Sequence, residues 1–308
     1  MGPHRLPSPL QRRIEAMAGA LMSADGIAVD FTAPAGAPAL VAADSVSWRL
    51  FKNPVSLFIG GVAAVLLELA EPKVRAGVWD HTSFKTDPVT RLRRTGLAAM
   101  VTVYAPREVA EAMIAGVNRR HAKVTGVTED GSAYAADDPD LLDWVQATAS
   151  WGFITAYDRF VEPLPPSARD RAWAEAAPAA RLYGALNAPA SQAAWEATLA
   201  AMDARLGPSP VIFEFLDIIR KAPALPAAAR LSQPLLVKAA VDLVPAPLRA
   251  RLGLEAAGLS RLERPLVKAM GRAADRLVLE SAPPAQASVR MGLPADWLYR
   301  PPTRASAA

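Results

Sequence analysis

The chain has 308 residues, 52% of them hydrophobic, which is enough to bury a sizeable core without a partner. Its 34 basic and 30 acidic residues are spread without a polybasic block, so the charge pattern argues against nucleic acid as a ligand. With no cysteine, disulfides, thiolate nucleophiles, iron–sulfur clusters and cysteine-ligated zinc or haem are excluded.

In chain order, Met1 to Met22 carries basic residues, Glu15 and scattered apolar positions where a signal peptide needs a continuous apolar core, so a cytoplasmic protein is expected. Residues 1–45 read as an N-terminal helix and an extended lead-in. The segment Pro54 to Ala70 (PVSLFIGGVAAVLLELA) is the most apolar, but it closes on Glu68 and Glu71 and falls short of the roughly 20 residues a bilayer span takes. A buried core helix is therefore expected there and no membrane span, while contact with a membrane surface is left open. Gly60 and Gly61 within it would admit the close approach of either a flat ligand or another helix.

From there on, helix punctuation recurs. Starts are expected at Asp87-Pro88, Pro106, Asp138-Pro139, Ser167, Ser191 and Ser260, where a capping side chain, a proline pre-set for the first turn, or both are present. Ser260 with Glu263 makes a capping-box pattern. Stops are expected at Gly126 after Lys123, at Gly207-Pro208 after Arg205, and at Pro245 after Val244. Apolar residues such as Trp195, Leu199, Met202 and Leu206 recur at helical intervals, and strand signals are nearly absent. The fold class is all-α: a single-domain multi-helix bundle over residues 46–280, followed by a proline- and alanine-rich tail, 281–308, expected to run irregularly over the surface.

Three histidines are present. His4 lies near the N-terminus and His81 in the polar run Asp80-His81-Thr82-Ser83. His121 continues the series Ala110, Met113, Ile114, Val117 at helical steps, placing its imidazole on the apolar stripe, away from Arg119, Arg120 and Lys123. Two readings follow: a buried histidine bonded to a nearby carbonyl, or an axial ligand to haem. Zinc and non-haem iron need several convergent ligands, whereas a porphyrin brings four nitrogens of its own and needs one imidazole. Upstream, Arg91, Arg94 and Thr95 are spaced i, i+3, i+4 beside the apolar Leu92, Gly96, Ala99 and Val103, and Arg93 is rotated away. Two guanidinium groups at the margin of an apolar pocket suit anionic groups such as haem propionates; a solvated basic face is the plainer reading. Asp143, Trp144, Gln146, Thr148 and Trp151 put a few polar atoms on an otherwise apolar helix, as either core packing or a pocket wall.

The run Asp80-His81-Thr82-Ser83-Phe84-Lys85-Thr86-Asp87-Pro88, followed by Arg91-Leu92-Arg93-Arg94-Thr95, resembles a pattern of the family that holds the latex-clearing rubber oxygenases and the MpaB-type oxygenases. The likeness continues through Asn118-Arg119-Arg120-His121-Ala122-Lys123-Val124, through Tyr134 to Thr148, and through Val244 to Leu254. It spans about Trp48 to Leu279, and the ordered series is far more specific than any single motif. The resemblance implies a helical fold enclosing haem b, with His121 as proximal iron ligand and His81, Arg91, Arg94 and Thr95 around the haem. The expected catalytic set is Arg91, Arg94 and Thr95, the partners haem, molecular oxygen and an apolar small molecule. Two departures separate the chain from the rubber enzymes: Arg94 stands where they carry a lysine able to ligate iron, and Gln146 stands where many relatives have histidine. A guanidinium stays protonated and does not ligate. The alternatives at this point are a haem-binding or sensing protein without turnover, and a helical lipid- or isoprenoid-binding module without haem.

Overall fold

The computed structural model describes residues 29–300. The expected N-terminal helix and His4 lie outside the described residues. Thirteen α-helices follow in order: α1 (Val46–Phe51), α2 (Pro54–Ala70), α3 (Pro72–His81), α4 (Pro88–Tyr104), α5 (Arg107–His121), α6 (Pro139–Phe160), α7 (Pro166–Leu182), α8 (Gln192–Met202), α9 (Pro210–Lys221), α10 (Gln233–Leu243), α11 (Ala246–Arg251), α12 (Glu263–Ala274) and α13 (Pro283–Arg290). Among the described residues the strand content is one antiparallel hairpin between α5 and α6, β1 (Thr125–Val127) with β2 (Ala133–Ala135). The fold is all-α.

Local chemistry sets most of the helix starts. Asn53 caps α2 by accepting from the Val55 and Ser56 amides at 3.1 and 3.0 Å, with Pro54 in the first turn. Glu71 both ends α2 and caps α3, accepting from the Val74 amide at 2.7 Å. Asp87, Asp138 and Ser191 cap α4, α6 and α8 with their side chains. At Ser260 the capping box is closed both ways: its amide donates to Glu263 Oε2 at 2.8 Å, and the Glu263 amide donates to Ser260 Oγ at 3.3 Å. Two boundaries differ from expectation. Helix α7 starts at Pro166, one residue before Ser167. Helix α5 stops at His121, before Lys123, and Gly126 belongs to β1, where a side chain would collide with the Tyr134 ring.

Helix α2 is buried around most of its circumference and forms the centre of the bundle, as its composition requires. It lies against α6, α10 and α12. The contact with α6 is made through two glycines: a β-carbon on Gly60 would stand 2.6 Å from the Gly152 carbonyl oxygen. Gly60 therefore serves helix packing, the second of the two roles its sequence allowed. No single described helix is long and apolar enough to cross a membrane; α2 and α3 reach that composition only together, and they are bent by 112°. On the far side of α6, Trp195 of α8 lies nearly parallel to Trp144, Trp151 and Trp173, with ring centroids 5.7 to 5.9 Å apart, so these tryptophans are core.

A second apolar cluster joins Phe31, Trp48, Leu97, Val101 and Tyr104 to Leu298 and Tyr299, so both ends of the described chain are packed against α4. The tail expected to be irregular contains α13, opened by Pro283-Pro284, and Arg290 at its end is fully buried. Its guanidinium donates to the carbonyls of Phe31, Ala37 and Tyr104 at 2.8, 2.9 and 2.6 Å. Proline there starts a helix, and the arginine ties it down.

Candidate functional site

Four helices, α2, α4, α5 and α6, carry the residues of interest. Helix α4, capped by Asp87, presents Arg91 one turn inside its start. The Arg91 guanidinium donates to Thr95 Oγ1, and Thr95 Oγ1 in turn donates to the Arg91 carbonyl at 3.0 Å. The same guanidinium lies over the Phe84 ring, 6.0 Å from its centroid. The i, i+4 relation inferred from spacing is thus a physical contact.

Facing Arg91 is a carboxylate that the motifs did not single out. Glu68 sits near the end of the apolar α2, and burial lifts its carboxyl from the ordinary range to about 7, opposed by the Arg91 charge and by a 3.4 Å hydrogen bond from Thr148 Oγ1 of α6. Burial likewise draws the Arg91 guanidinium down, while Glu68 pulls it back up. Both side chains nonetheless keep partial access to solvent. Both groups are thus deeply placed without being sealed from solvent.

His121 is the last residue of α5, and it too is partly accessible. Its Nδ1 is buried with no hydrogen-bond partner. Burial holds the imidazole below its usual pKa, and the Arg91 charge adds to this, with Asp137 acting against it. The ring is therefore a neutral base at neutral pH. Arg91 acts on both Glu68 and His121, so three helices deliver an acid, a cation and a neutral imidazole to one neighbourhood.

The other expected residues fall differently. Arg94 and Thr95 are exposed, and Arg94 is close enough to Arg91 to disfavour its charge. Arg93 is half-buried, with a buried Nε that has no partner. His81, exposed at the end of α3, pairs through Nε2 with Tyr134 Oη at 3.0 Å and meets that ring edge-on, which ties it to the β1–β2 hairpin. Gln146 is partly buried on α6. Among the described residues no three His, Asp or Glu side chains converge as a metal site would require. A cavity of about 440 Å³ lies elsewhere, between α10 and α12, and is lined by none of these residues.

Comparison with protein families gives one match, to the family described as ER-bound oxygenase mpaB/B'/rubber oxygenase, catalytic domain, over residues 48–276. The chain belongs to this family. The matched segment starts in α1 and runs past the end of α12, so it holds all of Glu68, Arg91, Thr95, His121 and Thr148. No curated protein and no solved structure matches the chain. Glu68 had one signal in the sequence, a lone carboxylate inside an apolar helix. Spacing alone made it look like the polar end of that helix.

Proposed function

We propose that the protein is a haem-b-dependent oxygenase acting on an apolar small molecule, with His121 as the axial iron ligand. The observation that carries this reading is the placement of His121: its Nδ1 is buried without a partner, and burial, with the Arg91 charge second, holds the imidazole below its usual pKa. A ligand to iron must be deprotonated, and a single imidazole suffices when a macrocycle supplies the remaining nitrogens. The residues present fit the group. His121 would hold the iron, and Arg91, with Arg94 nearer the surface, would hold the propionates through charge-assisted bonds. When bound, haem b supplies the iron and the electron chemistry with molecular oxygen.

The chain's own contributions are separate from that chemistry. Thr95 fixes the Arg91 fork in place through its hydroxyl. Glu68, at about 7, holds or releases a proton at its carboxyl near neutral pH, a property suited to acid–base work beside a reacting substrate. The Phe84 ring under Arg91 gives the cation an apolar neighbour, which favours an apolar substrate.

Haemin titration of the purified chain tests the assignment. Saturable binding with a Soret band is expected, lost in His121→Ala and retained in His81→Ala. A chain with native circular dichroism that takes up no haemin, or a His121→Ala variant with an unchanged spectrum, overturns it. Oxygen uptake by the loaded protein with apolar substrates then separates an oxygenase from a sensor.

A further inference from the structure

The cavity of about 440 Å³ between α10, α11, the Glu255–Ala257 turn and the start of α12 is lined by cations and carboxylates together. At its base is Asp242, buried, which accepts from three guanidinium groups: Arg159 at 3.2 Å, Arg249 at 3.3 Å and Arg264 at 3.1 Å. Glu255 brings a second carboxylate to the lining, so three guanidinium groups face two carboxylates and one positive charge is left unmatched. The neighbouring Lys238 and Glu263 neutralise each other at 2.7 Å, and Glu263 is further held by Ser260, so that pair adds no net charge.

Donors are also in surplus. A guanidinium carries five N–H groups in a fixed fork. The hydrogen bonds of Arg249 run from Nη1 alone, to Asp242, and that of Arg264 from Nη2 alone; the Nε of each is buried without a partner. Buried donors require acceptors, and a planar fork with excess positive charge is matched by the oxygens of a tetrahedral oxyanion. The volume is within the range of small-molecule sites.

We propose that this cavity binds a phosphate-bearing ligand, held by Arg249 and Arg264. Two sources share that chemistry, a soluble phosphate compound and an anionic lipid headgroup. Leu262 and Leu266, exposed on either side of Arg264 at 90% and 54%, are placed to meet acyl chains if the source is a lipid.

The test uses the full chain, with calorimetric titration of inorganic pyrophosphate and, separately, co-sedimentation with phosphatidylcholine vesicles with and without phosphatidic acid. Ionic strength is matched throughout with sodium chloride. Binding in either arm is expected to weaken at least about tenfold in Arg264→Gln, a loss equivalent to about 1.4 kcal/mol. Arg107→Gln, which removes the same charge from an exposed position on α5, is expected to leave it unchanged. Binding to pyrophosphate alone marks a soluble ligand, and binding to phosphatidic acid vesicles alone marks a headgroup. If Arg264→Gln does not fold, Arg264→Lys keeps the charge, removes the fork and carries the same expectation. No binding in either arm, or binding that Arg264→Gln and Arg264→Lys leave intact, overturns the proposal.

Discussion

Gly60 of α2 and Gly152 of α6 touch backbone to backbone, close enough that a β-carbon on Gly60 would lie 2.6 Å from the Gly152 carbonyl oxygen. Both helices carry site residues, Glu68 and Thr148, two turns farther along α2 and about one turn back along α6. The crossing therefore fixes the 3.4 Å hydrogen bond between them. Gly60→Ala is expected to cost about 1–3 kcal/mol of stability, since the added methyl meets backbone that cannot rotate aside. Gly61→Ala meets nothing nearer than the Phe153 ring at 3.9 Å, and should be neutral or stabilising through helix propensity, by up to about 1 kcal/mol. Urea unfolding of the pair checks both signs; equal destabilisation would show that the contact is not the tight point of the crossing.

Arg290 gives a second stability prediction. Its three carbonyl acceptors come from the lead-in and from the last residue of α4, where the helix dipole favours a cation. Arg290→Leu strands buried acceptors at about 1–3 kcal/mol each, with relaxation holding the total below the sum. Arg290→Lys keeps the charge but cannot reach three acceptors with a single ammonium, so it should recover only part of the loss. Full recovery by lysine would mean that charge, and not the fork, ties α13 down.

How much of this was legible depended on whether the signal was local. Asp87, Asp138 and Ser191 announce their helices because a cap is chemistry between neighbours in sequence. His121 was singled out because the helical period put it on an apolar stripe. Glu68 and Arg290 were missed for one reason: each is explained by partners far away in the chain, Arg91 and Thr148 for the first, Phe31 and Tyr104 for the second. Composition also misled in the tail, where prolines that read as irregular chain sit in the first turn of α13.

The carboxyl of Glu68 makes stability depend on pH with a definite sign. Its value is 4.5 unfolded and about 7 folded, so between these the native chain binds more protons than the unfolded chain. The stability that protonated Glu68 contributes is complete below about 4.5, declines as pH rises, and is gone above about 7. Glu68→Gln should remove that slope and be more stable than the parent above pH 7. Parallel pH–stability curves for the two proteins would place the Glu68 carboxyl in its ordinary range.

His121 shifts the other way. Its folded value is below 6.5, with burial the larger cause and Arg91 the second. Protonation is resisted by the fold, so the contribution of neutral His121 is intact above 6.5 and lost as pH falls through the lower folded value. Titration of its ring nitrogens by NMR in the haem-free protein should give a midpoint below 6.5, and Arg91→Ala should move it upward without restoring it fully. A midpoint at or above 6.5 in the parent would contradict a neutral, ligand-ready imidazole.

The three arginines of α4 offer the sharpest comparison, because they differ in placement and share one charge. Arg91 is deep, fixed by Thr95 and coupled to Glu68 and His121; Arg94 is exposed beside it; Arg93 is half-buried with its Nε turned into protein. If haem propionates are held there, a charge-assisted bond from Arg91 is worth about 1.5–3 kcal/mol, and its loss should speed haem transfer to apomyoglobin by roughly tenfold or more. Arg94→Ala should have a smaller effect, since water screens an exposed pair, and Arg93→Ala the least. Arg91→Lys should fall between Arg91→Ala and the parent, because it keeps the charge and loses the paired donors. Equal rates for all three alanine variants would assign the run to a solvated basic face and remove α4 from the haem site.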